Sequence, residues 1–143
     1  MINEIEHRIR ISVLWIYITA MLTAIGILEF MEPGFIEKMV SGEMWIGLDP
    51  APWLLFMALI WLIPQAMSVF NLFLKGPANR KMNLIAGLAF FLLILVSLIE
   101  HLTVHMVQAD LPLPYFYNII LIGTILLSSS AVVYLSYNWK STQ

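Results

Sequence analysis

Cysteine is absent from the sequence, and charged residues are scarce. Without cysteine the chain has no disulfide, no thiolate metal site and no cysteine nucleophile. Charged residues make up only 11 % of the 143 residues and hydrophobic residues 61 %, whereas about a quarter of a typical soluble domain is charged. A net charge of −2 argues against the basic face that nucleic acid binding requires. We therefore expect a protein that is surrounded by lipid.

Four apolar segments are long enough to cross a membrane, since a bilayer core of about 30 Å needs about 20 helical residues. They cover residues 11–31, 52–74, 82–106 and 115–137. The first is too long for the apolar part of a cleaved signal peptide, and no small-residue cleavage site follows it. These segments predict an all-α integral membrane protein, a four-helix up-down bundle that forms one domain over residues 1–143.

The distribution of lysine and arginine predicts the orientation in the membrane. Six of the seven cations lie before the first span, between the second and third, or after the fourth, and only Lys38 lies on the other side. Both termini are therefore expected in the cytoplasm and the protein in the plasma membrane. The six cations are Arg8, Arg10, Lys75, Arg80, Lys81 and Lys140.

The connections between the spans differ in length. "KGPANRK" and "QADLPLP" are short, so the spans that they join are expected to be antiparallel neighbours. In the first hairpin, Gly76 can end a helix and Pro77 cannot continue it. The longer outer loop predicts a short interfacial helix that begins near Pro33 and stops at Gly42. This helix either covers the mouth of the bundle or simply connects two spans.

Ionisable residues lie where hydrocarbon is expected, in the stretch "SLIEHLTVHMVQ" of the third span. Glu100, His101 and His105 fall on one side of a helix and can all face the bundle interior. Glu29 of the first span lies at a similar outer depth, and Gln65 belongs to a polar stripe on the second span. These five residues are the predicted ligand- or proton-binding site.

Three chemistries fit this cluster. His101 and His105 are spaced i, i+4 and, with Glu100 or the carboxylate of Glu29, give a divalent metal three ligands; no other cofactor is expected. Alternatively, histidine changes protonation near neutral pH, which suits a proton relay or the recognition of a polar group on an apolar ligand. In the third interpretation, a carboxylate and a histidine pair only to hold two helices together.

Other polar residues have simpler interpretations. Serine and threonine hydroxyls in the spans are explained by close helix packing. Pro64 in the second span frees a carbonyl one turn earlier and can kink the helix. His7, in the segment before the first span, is expected to be an ordinary exposed histidine.

Several motifs resemble a known family. "LEFMEPGFIEKMVSG", "IPQAM" and "NRKMN" are similar to those of a bacterial and archaeal four-helix membrane family that is described only as of unknown function. The resemblance covers about residues 12–139 and implies the fold without implying an activity. That family tends to carry an acidic residue late in its first helix, where this chain has Gly26; Glu29 follows one turn later. The residues that carry the resemblance are Met31, Pro33, Gly34, Pro64, Met67, Asn79, Arg80, Asn83 and Trp139.

Three functions are consistent with the sequence. The first is a carrier or binder of a small or lipid-soluble ligand at the Glu/His cluster. The second is a membrane-embedded enzyme that uses the same cluster for proton transfer or metal-assisted chemistry, although no catalytic signature is present. The third is a structural or accessory subunit that pairs with a second copy or with another membrane subunit.

Overall fold

The computed structural model describes residues 4–31, 33–41, 50–100, 102–103 and 113–139, with side chains for all of these except 50–54, 56–57, 100 and 113–116. All the regular secondary structure in the described residues is helical. It forms α1 (Glu4–Phe30), α2 (Phe35–Ser41), α3 (Pro50–Phe73), α4 (Gly76–Glu100) and α5 (Leu113–Asn138). The all-α prediction is therefore confirmed for this part of the chain.

Three of the four long helices have the length and composition of membrane spans. The candidate segments are Glu4–Phe30, Gly76–Ile99 and Tyr117–Asn138. The second predicted span coincides with α3, whose apolar segment with described side chains, Ala58–Phe73, is shorter than a span. Three candidate spans thus stand against the four predicted.

Helix α1 begins seven residues before the predicted span. The segment from Glu4 to Arg10 contains good helix formers and no glycine or proline, so the helix continues into it. The buried positions Ile11, Trp15, Ile18 and Leu22 follow at spacings of three and four residues. This spacing places them on one stripe that can pack against neighbouring helices.

The four long helices are arranged side by side in the order α3, α1, α5, α4. Among the described residues, α1 packs extensively against both α3 and α5, and α5 against α4, whereas α3 and α4 make few contacts. Trp15 fills part of the space between α1 and α4, because its ring meets Phe90 edge to face at a centroid distance of 5.7 Å. The expected α4–α5 pairing is confirmed, but α3 and α4 are weaker neighbours than their short connection suggested.

Two glycines with a left-handed backbone conformation, Gly34 and Gly76, lie in the connections before α2 and before α4. Gly34 has φ 80° and precedes α2, and its carbonyl accepts a hydrogen bond from the Lys38 amide at 2.9 Å. Helix α2 ends at Ser41, and the predicted stop at Gly42 lies outside the described residues. Gly76 has φ 71° and begins α4 instead of ending α3. Pro77 then occupies an early position of α4, where its missing N–H costs nothing.

Candidate functional site: the charged end of the bundle

Charged and amide side chains meet where α1 and α4 begin and α3 and α5 end. We call this the charged end, defined by Glu4, Arg8, Asn71, Asn83 and Arg80. Its hydrogen bonds join residues that are far apart in the sequence. The arrangement also fixes the up-down topology, because the starts of two helices lie beside the ends of the other two.

Arg8 caps the end of α3. Its side chain is only 8 % exposed. Nε donates to the carbonyl oxygen of Asn71 at 2.8 Å, and Nη2 donates to the carbonyl oxygen of Leu72. The last carbonyls of a helix have no partner within it and carry partial negative charge. A guanidinium from α1 therefore satisfies two acceptors of α3 and complements its dipole.

Arg80 makes the equivalent contact at the end of α5. Its Nε donates to the carbonyl oxygen of Ser136 at 3.0 Å, and Nη2 to that of Tyr137 at 2.8 Å. Arg80 lies on α4, so this cap joins the two helices of the second hairpin. From the sequence, both arginines were interpreted as cations that set the orientation, and no hydrogen-bond partner was predicted for either. The structure gives each of them a specific acceptor pair as well.

Glu4 completes the set of caps at the start of α4. Its Oε1 accepts a hydrogen bond from the Gly76 amide at 3.0 Å. The first amides of a helix are unpaired donors at the positive end of its dipole, so a carboxylate is favoured there. Each of these three helix ends is thus capped by a side chain from another helix.

A buried asparagine cluster lies directly inside these caps. Asn71 of α3 and Asn83 of α4 form a reciprocal amide pair, with Asn71 Nδ2 donating to Asn83 Oδ1 at 3.0 Å and Asn83 Nδ2 donating to Asn71 Oδ1. Asn83 Oδ1 also accepts from Trp15 Nε1 at 2.8 Å. Asn83 Nδ2 lies 2.7 Å from Asn79 Oδ1, and Asn79 in turn donates to the Leu74 carbonyl. Asn83 therefore connects α1, α3 and the first turn of α4.

All three asparagines are fully buried. An unpaired amide in an apolar interior is costly, whereas a paired one is neutral or stabilising. Asn83 Oδ1 uses both of its acceptor positions on groups from other helices. The cluster consequently favours one register among three helices, since sliding any of them by one residue breaks several hydrogen bonds together.

His7 and Trp139 stack at the same end. Their rings are 5.9 Å apart and almost parallel, with 7° between the planes. Trp139 is 1 % exposed and His7 is half-buried, so the expectation that His7 is an ordinary exposed histidine is wrong. The stack holds the start of α1 against the residue that follows α5. Among the described residues, Nδ1 of His7 has no hydrogen-bond partner.

The Glu/His site predicted from the sequence lies at the opposite end and falls mostly outside the described residues. The backbone of Glu100 ends α4, but its side chain, His101 and His105 are not among the described groups. Glu29 is half-buried and makes an interaction. No three histidine or carboxylate side chains converge within the described part of the chain. Ligand, proton and metal binding at this site therefore stay predictions.

The polar residues predicted to form one stripe on α3 do not all face the same way. Pro64 and Asn71 are buried, whereas Gln65 is exposed. Gln65 lies in a shallow open groove on the surface of α3, together with Ala58, Trp61 and Leu62. The stripe thus faces two directions, because consecutive helical residues are turned by about 100°.

Gly26, which stands where the resembled family tends to carry an acidic residue, lies close to α3. A Cβ atom added to it would lie 2.9 Å from Cζ2 of Trp61. The position is therefore occupied by a tight helix contact.

The fold and the charged end together define an all-helical bundle with at least three helices of membrane-spanning length, locked at one end by interhelical caps. The chain belongs to a family that is described only as a family of unknown function, DUF6326, and the family model matches residues 2–143. No curated protein matches the chain significantly. No solved structure does so either.

Proposed function

We propose that the chain is an integral membrane protein that crosses the plasma membrane four times and works as a non-enzymatic structural or accessory subunit. The fourth crossing is α3. Support for a lipid environment comes from the small share of each candidate span that is buried in the bundle, 22–33 %. The remaining surface carries large aliphatic and aromatic side chains, which are stable against acyl chains and costly in water.

Both termini lie on the cytoplasmic side in this proposal, because the charged end carries most of the cations. The absence of cysteine makes a direct test possible with two single-cysteine variants. Lys38 and Lys75 are both exposed and belong to opposite sides. In right-side-out spheroplasts, a membrane-impermeant maleimide should label Lys38→Cys. It should label Lys75→Cys only after permeabilisation, and the reverse pattern would contradict the orientation.

One observation carries the accessory role: the interior amides at the charged end are bonded to each other. Asn71 and Asn83 pair reciprocally, and Asn79 and Trp15 complete the set. Such groups hold helices together and leave few donors or acceptors for a ligand. The polar amide on α3 that is not used in this way, Gln65, faces outward instead. A polar group on the lipid-facing surface favours contact with another membrane helix.

Subunit counting tests the accessory role. The full-length protein, labelled at one introduced cysteine and reconstituted at low density into lipid vesicles, should show more than one photobleaching step per particle. Its distribution should shift to single steps as lipid is added. A single step at every protein-to-lipid ratio, with the protein folded by circular dichroism, would contradict an assembly formed by this chain.

Ligand binding at the opposite end is the second candidate function. Glu29, a member of the predicted site, and Ser97, three residues before Glu100, are half-buried, whereas Val96 and Ile99 on the same helix as Ser97 are exposed. This pattern supports a polar edge that faces the neighbouring helices. Purified protein should then bind a divalent metal or a titratable lipophilic probe, and His101→Ala should abolish that binding. Unchanged binding in the variant would exclude this site.

A further inference from the structure

We infer that the partner of the outward face of α3 is a second copy of this chain, docked helix to helix with Gln65 at the centre. This inference rests on the proposed membrane location and accessory role, and it adds the partner and the contact surface.

A continuous stripe of exposed residues runs along α3 at alternating spacings of three and four. This is the spacing by which two helices pack along a shared seam. The four large members of the stripe are between 51 % and 63 % exposed, so none of the helices that the structure describes covers them. At a rise of about 1.5 Å per residue the stripe is about 26 Å long, which is most of a bilayer core. We call it the α3 stripe, and it consists of Leu55, Ala58, Leu62, Gln65, Val69 and Leu72.

Gln65 is the polar member of the α3 stripe. Its side-chain amide makes no hydrogen bond to any described residue, whereas its carbonyl accepts from Ser68 Oγ at 2.7 Å. An amide turned toward hydrocarbon costs free energy until it finds a partner. A helix that brings a second amide to this position removes that cost.

The exposed faces of the neighbouring helices lack such a group. On α4 the outward residues from Ile85 to Ile99 are aliphatic. Between Ile11 and Leu28 of α1, they are aliphatic apart from Tyr17. Because lipid is as apolar as leucine, aliphatic faces give little reason for one helix to prefer another over lipid. Of α1, α3 and α4, it is therefore α3 whose described outward face carries an amide without a hydrogen-bond partner in the middle of the apolar surface.

A carboxamide is complementary to itself, which favours an identical partner. It carries both a donor and an acceptor, so two copies of Gln65 related by a twofold axis can each donate to the other. The same reciprocal geometry already joins Asn71 and Asn83 inside the bundle. All copies insert in one orientation, so a twofold axis along the membrane normal brings two parallel α3 helices together. One polar position in an otherwise apolar seam also fixes the register of such a pair.

The groove beside the stripe gives room for the partner. Ala58, Leu62 and Gln65 belong to both the groove and the stripe, and Trp61 forms its other side. A small residue next to larger ones lets two helix backbones approach closely. Leu62 of each copy then packs into the groove of the other, next to the amide pair.

Cysteine cross-linking in the full-length chain tests the contact directly, since no native cysteine interferes. Equivalent residues near a twofold axis come close enough for a disulfide, which needs Cα atoms within about 7 Å. Leu62→Cys and Val69→Cys should therefore form dimers under mild oxidation in membranes. Ile63→Cys, exposed on α3 beside the stripe, and Ile85→Cys, exposed on α4, are the matched controls and should stay monomeric.

Removing the amide tests the role of Gln65. In vesicles, with association measured by energy transfer between labelled copies, Gln65→Leu should weaken the dimer about threefold to thirtyfold, as expected for one interhelical amide contact in lipid. Ser68→Ala is the control, because its hydroxyl bonds only its own helix, and its dimer should be unchanged. Circular dichroism confirms that each variant is folded.

The outcomes separate this inference from the proposed function. Cross-links at Leu62 and Val69, together with a weaker Gln65→Leu dimer, support docking through the α3 stripe. A dimer that cross-links only at the control positions, or that is unaffected by Gln65→Leu, overturns the α3 contact and leaves the accessory role standing. A chain that is monomeric at every protein-to-lipid ratio, and that cross-links to no other protein in native membranes, overturns both. A different membrane protein cross-linked to Leu62→Cys in place of a second copy overturns this inference alone.

Discussion

Two amide side chains on α3, six residues apart, differ in what surrounds them. Asn71 is fully buried and bonded to Asn83 and to the backbone of its own helix, whereas Gln65 is exposed and without a side-chain partner among the described residues. The inward face of α3 therefore uses polarity to fix the register of one bundle. The outward face carries an amide that finds no hydrogen-bond partner among the described residues of a single bundle. Polar residues in an apolar helix thus need to be judged by the direction they face.

Removing the buried amide of Asn83 should destabilise the bundle most. Asn83→Leu removes the residue that connects three helices and leaves the Trp15 indole N–H and the Asn71 amide without their partner. The free energy of unfolding should fall by about 2–3 kcal/mol, the cost of a few lost buried hydrogen bonds. Unfolding by SDS titration in mixed micelles measures this.

Asn138→Leu is the control for that variant. Asn138 is exposed and bonds only to the Tyr134 carbonyl of its own helix, at 3.1 Å. Its replacement should change the free energy of unfolding by less than about 0.5 kcal/mol, as for most surface positions. Equal effects of the two variants would show that the buried cluster does not hold the helices together.

The caps at the charged end are the next test. Arg8→Gln keeps a polar side chain but removes the charge and the two bonds to the end of α3, and it should lower the free energy of unfolding by about 1–2 kcal/mol. Arg10→Gln is the matched control, because Arg10 is half exposed and, within the described part of the chain, pairs only with Glu6, at 2.6 Å. A solvent-exposed pair of this kind contributes about 0.3–0.5 kcal/mol. If the two substitutions lower the free energy of unfolding equally, the hydrogen bonds of Arg8 to the end of α3 contribute no more than an exposed ion pair.

A smaller effect is expected where α4 and α5 pack closely. A Cβ atom at Gly87 would lie 3.0 Å from Cγ1 of Val132 and 3.1 Å from Cγ2 of Val133. Both neighbours are β-branched and stiff, so Gly87→Ala should lower the free energy of unfolding by about 1 kcal/mol. Gly123→Ala has open space around it and should instead stabilise the helix by about 0.5 kcal/mol. Thermal unfolding in detergent measures both, and the same sign for both would contradict this packing.

Removing the exposed amide of Gln65 should change the stability of the bundle least. At a protein concentration in detergent low enough to keep the chain monomeric, Gln65→Leu should change the free energy of unfolding by less than about 0.5 kcal/mol, because the side-chain amide has no hydrogen bond to a described residue to lose. A loss of more than about 1 kcal/mol, measured by the same SDS titration, would mean that Gln65 stabilises its own bundle.

The helices could be predicted well from the sequence because the length of each hydrophobic segment is read directly from it. Four long helices and a short one between the first two were expected, and α1, α3, α4 and α5 each overlap a predicted span. The observed helices and the predicted spans differ in their bounds because a helix can continue into polar residues beyond the apolar segment. At the start of α1, the polar residues before the predicted span are helical, and two of them, Glu4 and Arg8, bond to α4 and α3.

The charged end was missed because its contacts are tertiary. Nothing in the spacing of Arg8 indicates that it binds a carbonyl sixty-three positions away. The sequence shows where a positive charge lies but not which group it contacts. One signal was present: Asn79 and Asn83 are spaced i, i+4 at the start of an apolar helix, which places two amides on one face. Ionisable groups in a span are rarer than amides, so the pattern of the sequence favoured the Glu/His cluster as the site.

The most direct test of the account measures Asn71→Leu and Gln65→Leu side by side in two assays, unfolding of the detergent-solubilised monomer and association in vesicles. We expect opposite results: Asn71→Leu lowers the free energy of unfolding and leaves association of the folded protein unchanged, and Gln65→Leu weakens association and leaves unfolding unchanged. Two variants that behave alike in both assays would contradict the distinction between the inward and outward faces of α3.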